Sequence, residues 1–194
     1  MLKLPPGPFG AFIFDCDGTI ADTMPLHFEA WTKALGEWSR FLPEDVFYAL
    51  GGTKTDRVAE IVRERANADF DVEKVVHEKE HYFMDHLGDV VPIMPVIEII
   101  EAWRGKIPIA VASGGFRRVI EEILKRLALD SCFDVLVCAE DVVNGKPDPE
   151  PFLKAAELLG ANPTKCLVFE DSPTGIAAAK AAGMAWVEVT REMR

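Results

Sequence analysis

The chain has 194 residues, of which 49% are hydrophobic and 27% charged, and its formal net charge is −11. That length gives one substantial domain or a domain with an insert, and the apolar content supports a packed core rather than global disorder. The acidic balance argues against nucleic acid or an anionic membrane surface as the main partner, yet a small anionic substrate needs only a few local cations.

Cys16, Cys132, Cys138 and Cys166 form no CxxC pair and read as reduced core thiols of an intracellular protein. The opening stretch through Pro8 is too short and proline-broken for a signal sequence. No apolar run approaches the roughly 18 residues that a membrane span needs, so a cytoplasmic protein without a membrane partner is expected.

In chain order, Ala11 to Phe14 is a short apolar run of the kind buried on both faces of a sheet. It runs straight into Asp15 and Asp17, with Gly18 allowing a sharp turn. Two carboxylates so close repel each other and need a cation, a shared proton or both. From Thr23 the pattern becomes helical: Pro25 suits a first turn, and Leu26, Ala30, Ala34 and Leu35 keep helical spacing. A second short helix opens at Pro43, a third is capped by Thr53 or Thr55, and a fourth by Asp71. No strand pattern intervenes, so residues 23–90 read as a helical module inserted into an α/β core formed by residues 1–22 and 91–194.

The core then alternates. A helix from Pro95 to Arg104 precedes a strand over Ile107 to Ala112, which ends at Ser113, Gly114 and Gly115. A helix from Phe116 to Leu127 leads to a strand over Phe133 to Cys138. Asp148 and Pro149 start the next helix, which Gly160 stops. Cys166 to Phe169 is a strand ending in Glu170 and Asp171; Ser172 caps the next helix, and Ala185 to Val189 is the last strand. Strands alternating with helices predict a Rossmann-like parallel sheet with right-handed crossovers.

Four polar signals fall just past strand ends or in the loops that follow: Asp15 with Asp17, Ser113 with Gly114, Lys146, and Glu170 with Asp171. In open parallel sheets this edge binds ligands. Carboxylates, one lysine and one hydroxyl gathered there point to a hard divalent cation sharing its oxygen ligands with a phosphate.

These motifs, in this order and spacing, resemble the four motifs of the haloacid dehalogenase superfamily over nearly the whole chain. The helical insert resembles that superfamily's α-helical cap. Asp22-Thr23, His27-Phe28, Ala30-Trp31, Gly51 to Lys54 and Lys79 are similar to beta-phosphoglucomutases and related sugar-phosphate phosphatases. The resemblance implies Asp15 as the nucleophile that forms an aspartyl phosphate and Asp17 as the acid–base group. It implies Mg²⁺ as cofactor, held by Asp15, Asp17 through its carbonyl, Asp171 and Glu170, the last directly or from behind. Ser113, Gly114 and Lys146 would bind the phosphate. Thr23, His27, Trp31, Lys54 and Lys79 would be the cap and substrate residues. Lys54 stands where the mutases carry an arginine, and lysine cannot reproduce its planar fork.

The expected function is therefore a Mg²⁺-dependent phosphatase of a small phosphorylated metabolite, most plausibly a sugar phosphate, working as a monomer or weak homodimer. Beta-phosphoglucomutase activity is the close alternative. Two remote ones are a non-catalytic binding protein, against which the intact motif set argues, and a zinc peptidase. The latter rests on His77-Glu78-Lys79-Glu80-His81, a literal H-E-x-x-H without a clear third ligand. Asp17 disfavours a true dehalogenase.

Overall fold

The computed structural model describes residues 2–88 and 90–193. Five parallel strands lie in the order β3-β2-β1-β4-β5: β1 (Ala11–Phe14), β2 (Ile109–Ala112), β3 (Val135–Val137), β4 (Cys166–Glu170) and β5 (Ala185–Glu188). The central strands β1, β2 and β4 are buried throughout, which is why they read as unbroken apolar runs rather than alternating ones. Phe12 and Phe14 face one side of the sheet, and Ala11 and Ile13 the other.

On the first side lie α5 (Met94–Trp103) and α6 (Arg117–Arg126), bringing Val96, Ile100, Ile120 and Ile123 against Phe12 and Phe14. The Phe14 and Phe169 rings stack there at 4.5 Å, locking β1 to β4. On the second side lie α7 (Glu150–Leu158) and α8 (Pro173–Ala181), which present Phe152, Ala155, Ala178 and Ala179. The small residues let α8 sit close to the sheet.

Between β1 and β2 run α1 (Met24–Leu35), α2 (Glu44–Ala49), α3 (Thr55–Ala66) and α4 (Val72–His86). They gather around a separate apolar cluster that includes Trp31, Phe47, Val58, Val62 and Val75. The chain leaves and re-enters the sheet side by side: the Asp22 amide donates to the Val91 carbonyl and the Ile93 amide to the Ile20 carbonyl, each at 2.9 Å. The two linkers thus brace each other where the helices depart from the sheet.

Local end signals explain most element boundaries. The Asp71 carboxylate accepts the Lys74 amide at the start of α4, and the Ser172 hydroxyl accepts that of Gly175 at the start of α8. The Asp148 carboxylate accepts the Glu150 amide at 2.9 Å, starting α7 one residue later than Pro149 suggested. For α3 the N-cap is Lys54, not Thr53 or Thr55; lysine has no side-chain acceptor to cap with, and the Thr55 hydroxyl donates to Glu80 instead. All four cysteines are buried and free, as expected.

Candidate active site

Strand β1 carries Asp15 out of the sheet at its carboxyl end, where the Asp15 amide still donates to the Phe169 carbonyl at 2.9 Å. The chain then curls tightly: the amides of Ile20 and Ala21 both return to the Cys16 carbonyl, at 2.8 and 3.1 Å. This curl sets Asp17 beside the start of α1. The Thr23 hydroxyl donates to Asp17 Oδ1 at 2.6 Å, and His27 Nε2 lies 3.0 Å from the same oxygen. Thr23 occupies the N-cap position of α1 yet makes no capping bond, because its hydroxyl is committed to Asp17. The His27 ring is held flat against Phe83 at 3.9 Å.

Lys146, from the loop before α7, reaches under the sheet edge with its side chain fully buried. Its ammonium donates to Asp15 Oδ1 at 2.6 Å and to Glu170 Oε1 at 2.7 Å. Glu170 Oε2 accepts the amide and hydroxyl of Ser172 at 2.7 and 2.8 Å. Both oxygens of Glu170 are therefore spoken for by protein donors. Gly175 is obligatory beside it, since a Cβ there would lie 1.8 Å from Glu170 Oε1. Ser113 is buried at the end of β2, its hydroxyl oxygen accepting the Gly115 amide at 3.0 Å.

The two central aspartates are driven apart electrostatically. Burial pushes the Asp15 carboxyl well above its usual range, more than Lys146 pulls it down. Burial also pushes Asp17 upward, but His27, Thr23 and Lys79 outweigh it and leave that carboxyl below its usual range. Lys146 is held charged despite burial by Asp15 and Glu170.

Carboxylate oxygens of Asp15, Glu170 and Asp171 lie within 4.8 Å of one another, the sole such acidic, histidine or cysteine group among the described residues. An all-oxygen donor set of this kind fits a hard divalent cation. His77 and His81 are not part of any such group. Their rings stack 6.2 Å apart on an exposed face of α4, and His81 pairs with Asp85, so the peptidase motif is a solvated helix face.

A cavity of about 70 Å³ lies over these groups, walled by Asp15, Asp17, Ser113 and Gly114 below and by His27, Trp31, Lys79 and Glu80 above. Its side wall is the Gly51–Thr53 loop between α2 and α3, pressed onto the sheet edge. The Thr174 hydroxyl donates to the Gly51 carbonyl, and a Cβ on Gly114 would lie 2.4 Å from the Gly52 carbonyl oxygen. So thin a contact requires glycine at position 114.

Of the residues picked out from sequence, all but Lys54 converge on this cavity or its floor. Lys54 turns away: its ammonium donates to the Val142 carbonyl at 3.3 Å and its side chain lines a separate outer groove with Asn144 and Pro147. Lys54, expected among the cap and substrate residues, therefore does not line this cavity. Lys54 is the N-cap residue of α3, next to the Gly51–Thr53 loop. Glu80 and Thr55 were not singled out as site residues; both lie within helical, charged stretches whose facing only tertiary packing decides.

The fold and this site identify the family. The sequence model of the haloacid dehalogenase-like hydrolase family matches residues 9–183, and the chain belongs to that family. It is an enzyme of phosphatase or phosphomutase type. The chain is 39% identical over 181 residues to the fructose-1-phosphate phosphatase YqaB of Escherichia coli, covering 93% of this chain and 96% of that one. It is 36% identical to a phosphorylated carbohydrates phosphatase of Thermotoga maritima, covering 90% and 82%. It is 31% identical to the beta-phosphoglucomutase of Bacillus subtilis, covering 90% and 80%. Among solved structures, the beta-phosphoglucomutase of Clostridium difficile superposes with a TM-score of 0.80 at 26% identity, covering 93% and 84%. No helix among the described residues is long and apolar enough to cross a membrane.

Proposed function

We propose that the protein is a Mg²⁺-dependent phosphatase that hydrolyses a small sugar phosphate through an aspartyl phosphate on Asp15. The observation that carries this reading is the division of labour between two carboxylates: Asp15 held by Lys146 at 2.6 Å, and Asp17 held from the other side by Thr23 and His27. Residues 23–90 serve as the cap over the core formed by residues 1–22 and 91–194.

A divalent cation would be held by Asp15 and Asp171 with the Asp17 carbonyl, and Glu170 would support Lys146 from behind, since its oxygens are already used. Bound by these groups, the cation would supply positive charge that favours the ionised Asp15 carboxylate and offsets phosphate charge. Asp15 attacks phosphorus in line, and Asp17 protonates the departing sugar oxygen. Asp17 then takes a proton from the water that cleaves the aspartyl phosphate. Lys146 and the Ser113 hydroxyl stabilise charge on the equatorial phosphoryl oxygens. The closely fitted insert keeps bulk water from the phosphorylated aspartate.

Hydrolysis is favoured over the mutase alternative by Lys54. The cavity carries no cation from that position, so nothing there grips a second phosphate. Incubation with Mg²⁺ and a panel of sugar monophosphates tests this: free phosphate is expected, most of all from ketose 1-phosphates such as fructose 1-phosphate. Isomerised sugar phosphate without free phosphate would establish the mutase instead.

A further inference from the structure

The upper wall of the cavity holds a charged group that the phosphoryl chemistry does not use. Glu80 is 7% exposed and lies on the buried face of α4. Its Oε1 accepts Lys79 Nζ at 2.8 Å and the Thr55 hydroxyl at 3.3 Å. Its Oε2 is buried and has no hydrogen-bond partner among the described residues. Glu80 lines both the central cavity and a groove beyond it, so the residue stands between the two. An unpaired buried carboxylate oxygen is costly unless a ligand donor satisfies it.

Lys79 is 2% exposed, its charge matched by Glu80 and spread over the faces of Trp31 and Phe83, at 5.7 and 5.3 Å. Lys54 points into the outer groove, which Arg57 also lines, and Arg118 lines the groove beyond Glu80 rather than the cavity. The end of the cavity remote from Asp15 and Lys146 thus carries a net-neutral Lys79–Glu80 pair with one acceptor oxygen to spare.

Resting on the phosphatase reading above, we infer that Glu80 is a specificity-determining residue that selects singly phosphorylated polyols. Its Oε2 accepts a hydrogen bond from a hydroxyl on the unphosphorylated part of the sugar. By pairing with Lys79, the same carboxylate withholds the positive charge that a second phosphate placed there would need. A mutase must pass its phosphoryl group from the enzyme to an already phosphorylated sugar, forming a bisphosphate, and at this end of the cavity the cation Lys79 is already taken by Glu80. The one carboxylate therefore sets both the substrate class and the outcome of the reaction.

The test compares kcat/KM for fructose 1-phosphate, fructose 1,6-bisphosphate and p-nitrophenyl phosphate in Mg²⁺, for wild type, Glu80→Gln and Glu80→Asp. Wild type is expected to favour the monophosphate over the bisphosphate by about 100-fold or more. Glu80→Gln keeps the shape and removes the charge, so that ratio falls at least about tenfold, and the monophosphate loses more than the aryl phosphate does. Glu80→Asp keeps the charge but shortens the reach: the bisphosphate stays excluded while KM for the monophosphate rises. Wild-type ratios in Glu80→Gln, or a wild-type monophosphate KM in Glu80→Asp, would overturn the assignment while leaving the phosphatase reading intact. Hydrolysis of none of the three esters by wild type would overturn both.

Discussion

His27 Nε2 lies 3.0 Å from Asp17 Oδ1, on the oxygen that also accepts the Thr23 hydroxyl. Both donors belong to the first turns of α1, so the helix that opens the insert also fixes the acid–base carboxylate. This pairing holds Asp17 ionised in the free protein, while burial favours the proton on Asp15. The proton that Asp17 must give the leaving oxygen therefore arrives with the substrate, whose phosphate group has its second pKa near about 6. Accordingly, kcat/KM is expected to peak near or below about pH 6 and to fall about tenfold per unit at higher pH. A pH–rate profile on one sugar phosphate, corrected for metal binding, checks the slope.

Replacing His27 by alanine removes the strongest partner that lowers the Asp17 pKa. Asp17 then titrates higher, so the rising, acid-side limb of the profile moves to higher pH while the falling limb set by the substrate stays. The loss of orientation lowers kcat by roughly 10- to 100-fold. Steady-state kinetics of His27→Ala across pH measures both effects, and a merely structural histidine would leave the acid-side limb in place.

Lys146→Met leaves Asp15 and Glu170 buried without their shared cation. Breaking a buried ion pair on one side costs about 3–5 kcal/mol, and activity falls by at least about 10²-fold through lost transition-state stabilisation. Urea denaturation of the variant against wild type, without metal, reads the first; phosphate release reads the second.

Mg²⁺ is expected to raise the melting temperature more at pH 7.5 than at pH 5. The folded-state pKa of Asp15 lies above its unfolded value, so the protonated group contributes stability at low pH that is lost as pH rises through the folded value. A cation that binds the ionised carboxylate must displace that proton at low pH and need not at high pH. Thermal melts with Mg²⁺ and with EDTA at the two pH values give the comparison, and Asp171→Asn is expected to abolish it.

Gly114→Ala sets a methyl group against the Gly52 carbonyl, so the Gly51–Thr53 loop cannot seat as it does. The sheet keeps its own core, and the melting temperature is expected to change by only a few degrees, while kcat/KM falls at least about tenfold. Circular dichroism melts and kinetics on the same preparation separate the two.

The strands were legible because each central strand is buried on both faces and therefore reads as a pure apolar run: Ala11 to Phe14, Ile109 to Ala112 and Cys166 to Phe169. The floor of the site was legible for a related reason. Asp15, Ser113, Lys146 and Glu170 sit at strand ends or in the next loop, so sequence position alone places them on one edge. The roof was not. Whether Lys54 enters the cavity depends on how the loop before α3 docks on a segment 88 residues away. Glu80 reads in sequence as one charge among many on α4, and only its packing against Thr55 and Lys79 shows it to be buried.

The central claim is hydrolysis through Asp15. It is tested most directly by supplying Mg²⁺ and fructose 1-phosphate to wild type and Asp15→Asn, and following free phosphate together with every sugar phosphate formed. Wild type is expected to release phosphate and free sugar in equal amounts, and Asp15→Asn to lose at least about 10³-fold in rate. Conversion to an isomeric sugar phosphate without free phosphate, or undiminished release by Asp15→Asn, would contradict it.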